Sequence, residues 1–136
     1  MNGQSGLLLD TPVLAEIRSF RCSEVLTDFL RCRSSLRIFI SALTLGDLPC
    51  PDSSWLQELA DRFGCHILPV DQGVVLASAG LERDAGTLTV VLAATALRSD
   101  LTIVTDRPED FRRLGAPAVN PWTAAGTQEY PGVQRG

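Results

Sequence analysis

Lysine is absent from this chain: all 12 of its basic side chains, among 136 residues, are arginine. Histidine occurs once, as His66, so neither a paired-histidine zinc site nor a histidine-rich catalytic centre can be built. His66 sits in the run CHILPV, and a lone histidine in a strand is expected to be packed or inert rather than a general base. The four cysteines, Cys22, Cys32, Cys50 and Cys65, include no C-x-x-C pair, which argues against structural zinc. No apolar run approaches the roughly 20 residues needed to cross a bilayer; the longest lies around Val90 to Ala94. The opening MNGQSG carries no basic region followed by an apolar block, so a cytoplasmic protein with reduced thiols and no membrane association is expected. There is no G-x-S-x-G and no phosphate-loop glycine pattern, which removes a small-molecule α/β hydrolase or kinase.

What remains is a chain long enough for one domain with a substantial core. Net charge is 12 − 16 = −4, short of the basic footprint usual in nucleic-acid binders. Bound metal would reverse that field locally. Arginines gather at Arg18, Arg21, Arg31, Arg33 and Arg37, and again at Arg98, Arg107, Arg112 and Arg113. Arginine grips phosphate with a planar fork, but the codon bias of a GC-rich genome accounts for the same composition more simply.

Hydrophobic periodicity alternates strand with helix. Gly6 to Asp10 reads as a buried strand, followed by a helix with Pro12 in its first turn. Ser23 opens a second helix with Val25, Leu26, Phe29 and Leu30 on one face. Strands are expected at Leu36–Ile40, Cys65–Val70, Leu101–Thr105 and Ala118–Asn120. Helices are expected at Ala42–Leu48, from Ser54 (a capping-box start with Gln57) to Phe63, from Asp71 to about Leu81, at Leu88–Arg98 and at Pro108–Leu114. Glu82 to Gly86 reads as a polar connection. This alternation implies a parallel sheet with helices on both faces. Thr123 to Gly136 is poor in apolar residues and reads as a flexible tail, leaving 1–122 as the domain.

Two of the strands end in a threonine beside an acid: Asp10-Thr11 and Thr105-Asp106, with Asp110-Phe111 close behind. Carboxylates at strand ends suit a divalent cation, and ligands in such sheets gather at the carboxyl ends of the strands where strand order reverses.

Five segments carry a resemblance: LLDTPVLAE from Leu8, SALTLGDL from Ser41, TVVLAATAL from Thr89, LTIVTDRPEDF from Leu101 and VNPW from Val119. Together they resemble the PIN-domain family, in particular the VapC-type ribonuclease toxins and plasmid stability proteins of bacteria. The likeness runs in register from residue 6 to residue 122. It implies a three-layer α/β/α fold with a parallel sheet of about five strands in the order 3-2-1-4-5. It further implies an Mg²⁺- or Mn²⁺-dependent endoribonuclease, an RNA substrate, a cognate antitoxin protein and a homodimer. The Ser23–Arg31 and Ser54–Phe63 helices are candidate partner surfaces. The competing expectation is a PIN-fold binding module that has lost cleavage.

The family's acids carry over unevenly. Asp10, Asp47 and Asp110 match three of the four and are the candidate catalytic and metal-binding residues. Asp10 would otherwise be a helix cap. Asp47 replaces a glutamate and reaches about 1.5 Å less far; the alternative is a cap in Thr44-x-x-Asp47. Thr89 stands where the family has its third aspartate, so a hydroxyl replaces a charged ligand. Asp84, five residues earlier, is poorly placed to substitute. Thr11, Thr105 and Asp106, with Thr89, are expected to surround the acids and orient them; Asp106 could instead cap the following helix with Glu109. Asp106-Arg107 replaces an Arg-Asn pair, and Pro12 replaces an asparagine. Near Pro49–Asp52 the chain looks shorter than the family's helical arm. Glu16 matches a recurrent acid and is expected to pair with an arginine.

Overall fold

A computed structural model describes residues 6–18, 24–33, 37–48, 54, 57, 61, 64–81 and 83–124. Strand β1 (Gly6–Leu9) leads into α1 (Thr11–Arg18) and α2 (Glu24–Cys32). Strand β2 (Arg37–Ser41) runs directly into α3 (Ala42–Asp47), and β3 (Cys65–Leu68) precedes α4 (Gln72–Ala79). A 3₁₀ turn (Arg83–Ala85) precedes α5 (Thr87–Ser99) and β4 (Leu101–Val104); α6 (Pro108–Arg112), β5 (Ala118–Val119) and α7 (Pro121–Ala124) complete the order. The five strands form one parallel sheet in the order β3-β2-β1-β4-β5. The order expected from the family resemblance is therefore the one observed. The Pro49–Asp52 arm, Ser23, most of the Ser54–Phe63 helix and the tail beyond Ala124 lie outside the described residues.

Strands β1, β4 and β5 are buried on both faces because helices pack on either side of them, whereas the edge strand β3 exposes His66 and Ile67. Side chains alternate along β1. Leu7 and Leu9 join Val13, Leu14 and Ile17 of α1 and Leu26, Phe29 and Leu30 of α2 in one cluster. Leu8 points to the other side and joins Val90, Leu92, Ala93 and Ala96 of α5 with Phe111 of α6. Eight consecutive residues of α5, Thr89 to Ala96, are buried, as its nearly all-apolar sequence foretold. The helix stops at Asp100, whose left-handed backbone (φ 59) lets its N–H return to the Ala96 carbonyl. At the same end of the sheet, where Gly6 pairs with Leu101 and Arg37, the backbones crowd: a Cβ on Gly6 would lie 2.5 Å from the Arg37 carbonyl oxygen. Only glycine fits there without a shift.

Helix starts were legible where a polar side chain precedes the apolar run. Asp71 caps α4 by accepting from Val74 N at 3.0 Å. Neither of the alternative caps, at Asp47 and at Asp106, is realised. The cap of α3 is Ser41, which accepts from Leu43 N at 3.1 Å, so Asp47 at the far end of that helix caps nothing at its start. Helix α6 has Arg107 at its cap position and no side-chain cap, so Asp106 does not serve there. Strand β3 ends at Leu68 rather than Val70, and the polar connection before α5 contains a single 3₁₀ turn.

Candidate functional site

Strand order fixes where a site can form. Strand β1 is flanked by β2 on one side and β4 on the other, so the chain reverses direction across the sheet beside it. A crevice opens at such a reversal, outside the carboxyl ends of the strands. Register then brings together two side chains 95 residues apart in sequence. Leu9 pairs with Val104, so Asp10 and Thr105, each one residue further on, emerge side by side.

Asp10 has no solvent exposure, and a buried carboxylate needs partners for its oxygens. One oxygen, Oδ1, accepts from the Thr11 amide at 2.8 Å. The other, Oδ2, accepts from the Thr105 hydroxyl at 2.8 Å and lies 3.5 Å from Arg107 Nε. The Asp10 carbonyl accepts from Val13 N and Leu14 N, so the residue also begins α1. Thr105 links the two halves: its hydroxyl donates to Asp10 while accepting from Arg107 N at 3.1 Å.

Asp110 lies one turn beyond, with Oδ2 3.5 Å from Arg107 Nη1. A single guanidinium thus reaches both acids, lying 5.2 Å from the centre of the Phe111 ring. Asp47 is exposed and accepts from the Thr11 hydroxyl at 3.3 Å. Beside it is a cavity of about 320 Å³ lined by Leu43, Gly46, Asp47, Thr87 and Leu88. Thr44, one turn before Asp47, is fully buried, and its hydroxyl has no partner. Thr89 is buried within the first turn of α5, Asp84 is exposed in the 3₁₀ turn, and Asp106 is exposed.

The crevice thus brings Asp10, Thr11, Thr105 and Asp110 together and tethers Asp47 through Thr11. Among the described residues, no group of three or more His, Cys, Asp or Glu side chains could hold a metal ion. The cause is visible in the donor set. Asp10 is already satisfied by two hydrogen bonds and an arginine, and the same arginine meets Asp110. As they stand, these side chains do not fit a divalent cation.

Arg107 was not among the site residues read from the sequence. The spacing Arg107-x-x-Asp110 did signal it, but such a pair usually marks a solvated helix surface. The VNPW segment proves to be a fastening. Asn120 Oδ1 accepts from Trp122 N at 2.9 Å and Thr123 N at 3.3 Å, starting α7. The Trp122 indole donates to Glu16 Oε1 at 3.1 Å, tying the last motif to the first. Arg112 donates twice to the Ala118 carbonyl, at 3.1 and 2.7 Å, holding β5 in place. His66 is exposed in β3, 5.5 Å from the Phe39 ring. Cys32 is a free thiol.

No family model matches the sequence, and no curated protein matches it either. Solved structures do. The chain is similar to FitAcB from Neisseria gonorrhoeae, at 26% identity and a TM-score of 0.64, over 85% of this chain and 98% of that one. It is similar to VapBC2 from Rickettsia felis, solved bound to a DNA fragment from their promoter, at 17% identity and a TM-score of 0.67, over 84% and 97% of the two chains. A toxin–antitoxin complex from Klebsiella pneumoniae aligns at 21% identity and a TM-score of 0.59, over 85% and 98%. The fold is the PIN-like α/β/α sandwich. The resemblance to VapC-type members of the PIN family, read from the motifs, holds in three dimensions.

Proposed function

We propose that this chain is the toxin-side member of a toxin–antitoxin pair and acts chiefly through binding, its nuclease site being reduced. Its partners on this reading are an antitoxin-like protein, a second copy of itself and RNA, in the cytoplasm. The observation that carries the reduction is the Asp10–Arg107–Asp110 arrangement, in which a side chain of the protein pairs with both acids at the heart of the crevice. Thr89 points the same way, since a hydroxyl supplies no charge to attract a cation. Support for the partner comes from the fold and from the solved complexes it resembles. No helix among the described residues is long and apolar enough to cross a membrane.

A second reading is a slow Mg²⁺- or Mn²⁺-dependent endoribonuclease. Three acids favour it: Asp10 and Asp110 meet in the crevice, and Asp47 hangs from Thr11 beside them. A cation held by Asp10, Asp47 and Asp110 would supply an activated water and stabilise charge on the phosphate. It would first have to displace Arg107.

Co-expression with the protein encoded beside it, followed by size-exclusion chromatography, tests the first reading. A stable stoichiometric complex is the expected result. A chain that ignores that neighbour and stays monomeric would defeat it. RNA cleavage in Mn²⁺, compared between the wild type and Asp10→Ala, separates the two readings. Equal traces are expected from binding alone, and cleavage lost in the variant establishes the enzyme.

A further inference from the structure

The crevice between the ends of β1 and β4 already contains a positive charge, and the chain itself supplies it. We propose that Arg107 is the resident cation of this acidic crevice, standing between Asp10 and Asp110 and keeping divalent ions out. The inference rests on the reading of these acids as a reduced metal site.

Three observations carry it. The first is geometric. Nε and Nη1 of one guanidinium lie 3.5 Å from Asp10 Oδ2 and 3.5 Å from Asp110 Oδ2. An ion bridging the two carboxylates would compete for those same oxygens. The second is placement. The Arg107 amide donates to Thr105 Oγ1, and the Thr105 hydroxyl donates to Asp10. Asp110 N returns to the Arg107 carbonyl at 3.2 Å. The ring of Phe111, which is fully buried, lies 5.2 Å from the guanidinium carbon. Backbone and ring therefore deliver the arginine to the acids, and little side-chain order must be gained to hold it there.

The third is charge. Asp10 and Asp110 contribute −2 and Arg107 returns +1. A divalent ion entering with Arg107 in place meets a net −1 from the three together, and meets the guanidinium at close range. An exposed ion pair is weak by itself. Here one partner, Asp10, is wholly buried, and the arginine is 37% exposed. Arg107 can therefore be displaced by enough metal, so exclusion is a competition that shifts affinity rather than a closed door.

The test is a titration of Mn²⁺ into the full-length chain, followed by loss of the free-ion EPR signal. The proteins are the wild type, Arg107→Gln, Arg107→Ala and Arg107→Lys, with far-UV circular dichroism as the check on folding. Wild type and Arg107→Lys are expected to leave the ion free through the low-millimolar range. Arg107→Gln or Arg107→Ala, whichever keeps the native spectrum, is expected to bind Mn²⁺ about tenfold more tightly or better. Adding Asp10→Asn to that variant should abolish the gain. Uptake by the wild type as tight as in the variants overturns the inference and strengthens the hydrolytic reading. No gain in either folded variant also overturns it, while the toxin–antitoxin reading stands or falls separately on the co-expression result.

Discussion

The seam between β1 and β4 and the junction between α3 and α5 adjoin each other, yet they are built on different terms. On the seam, Asp10 is fully buried, both its oxygens are engaged, and its carbonyl starts a helix. At the junction, Asp47 is exposed, holds one bond of 3.3 Å and sits at the carboxyl end of α3. A carboxylate is disfavoured at that end of a helix dipole. Thr44 beside it keeps a buried hydroxyl unpartnered, and Thr89 at the start of α5 carries no charge. The sequence matches the family pattern at Asp10 and Thr105, where the acid site is also part of the fold. It departs at Asp47, which is exposed, and at Thr89, which is buried but uncharged.

Removing Asp10 should break the seam hardest. Asp10→Ala leaves the Thr105 hydroxyl without its acceptor and Arg107 without its buried counter-ion. A loss of about 2–4 kcal/mol is expected, chiefly from the Thr11 amide and the buried Thr105 hydroxyl left without an acceptor, since Arg107 is 37% exposed and keeps Asp110. Urea denaturation of both proteins measures it. A neutral or stabilising result would mean that Asp10 is a strained ligand rather than a structural carboxylate, and the contrast between seam and junction would collapse.

Thr105→Val is the next step down. It keeps the shape but removes the donor to Asp10 and the acceptor for Arg107 N. Leaving the buried Asp10 acceptor unsatisfied costs about 1–3 kcal/mol, and the Arg107 amide is only part-buried, so a loss of unfolding free energy in that range is expected from urea denaturation. Smaller again is Trp122→Phe, which deletes the indole donor to Glu16. It should cost about 1 kcal/mol in the same assay, and it asks whether the fastening of the last motif to the first belongs to the seam's cooperative unit.

Much of the seam could be read from the sequence. LLLD and LTIVT each show a buried apolar run stopping at a polar residue, and the parallel sheet follows from the strand–helix alternation. The strand order came from the family motifs, because periodicity says where strands are but not which lie side by side. Arg107 was missed for the same reason. Its pairing with Asp110 is local and visible in TDRPED, but its contact with Asp10 exists only once β4 lies beside β1 in the Leu9–Val104 register. The alternative caps at Asp47 and Asp106 are not realised, because a polar-x-x-acid pattern is common and which residue takes the cap depends on where the preceding strand releases the chain. Ser41, the last residue of β2, takes it for α3.

The smallest effect should come from the junction, and there the smallness is the point. Asp47→Ala removes a single exposed bond to Thr11 and lifts a negative charge from a helix carboxyl end. The lost bond is weakened by solvent, and the relieved dipole acts in the opposite direction at a few tenths of a kcal/mol. The two nearly cancel, so stability should change by no more than about 0.5 kcal/mol. The same substitution in Arg107→Gln should still weaken any Mn²⁺ binding that variant gains, because Asp47 is tethered next to Asp10 through Thr11. An acid that matters to metal and not to stability is one held in the crevice for chemistry alone. If Asp47→Ala instead destabilises the fold as Thr105→Val does, both regions carry the structure, and the division between them is wrong.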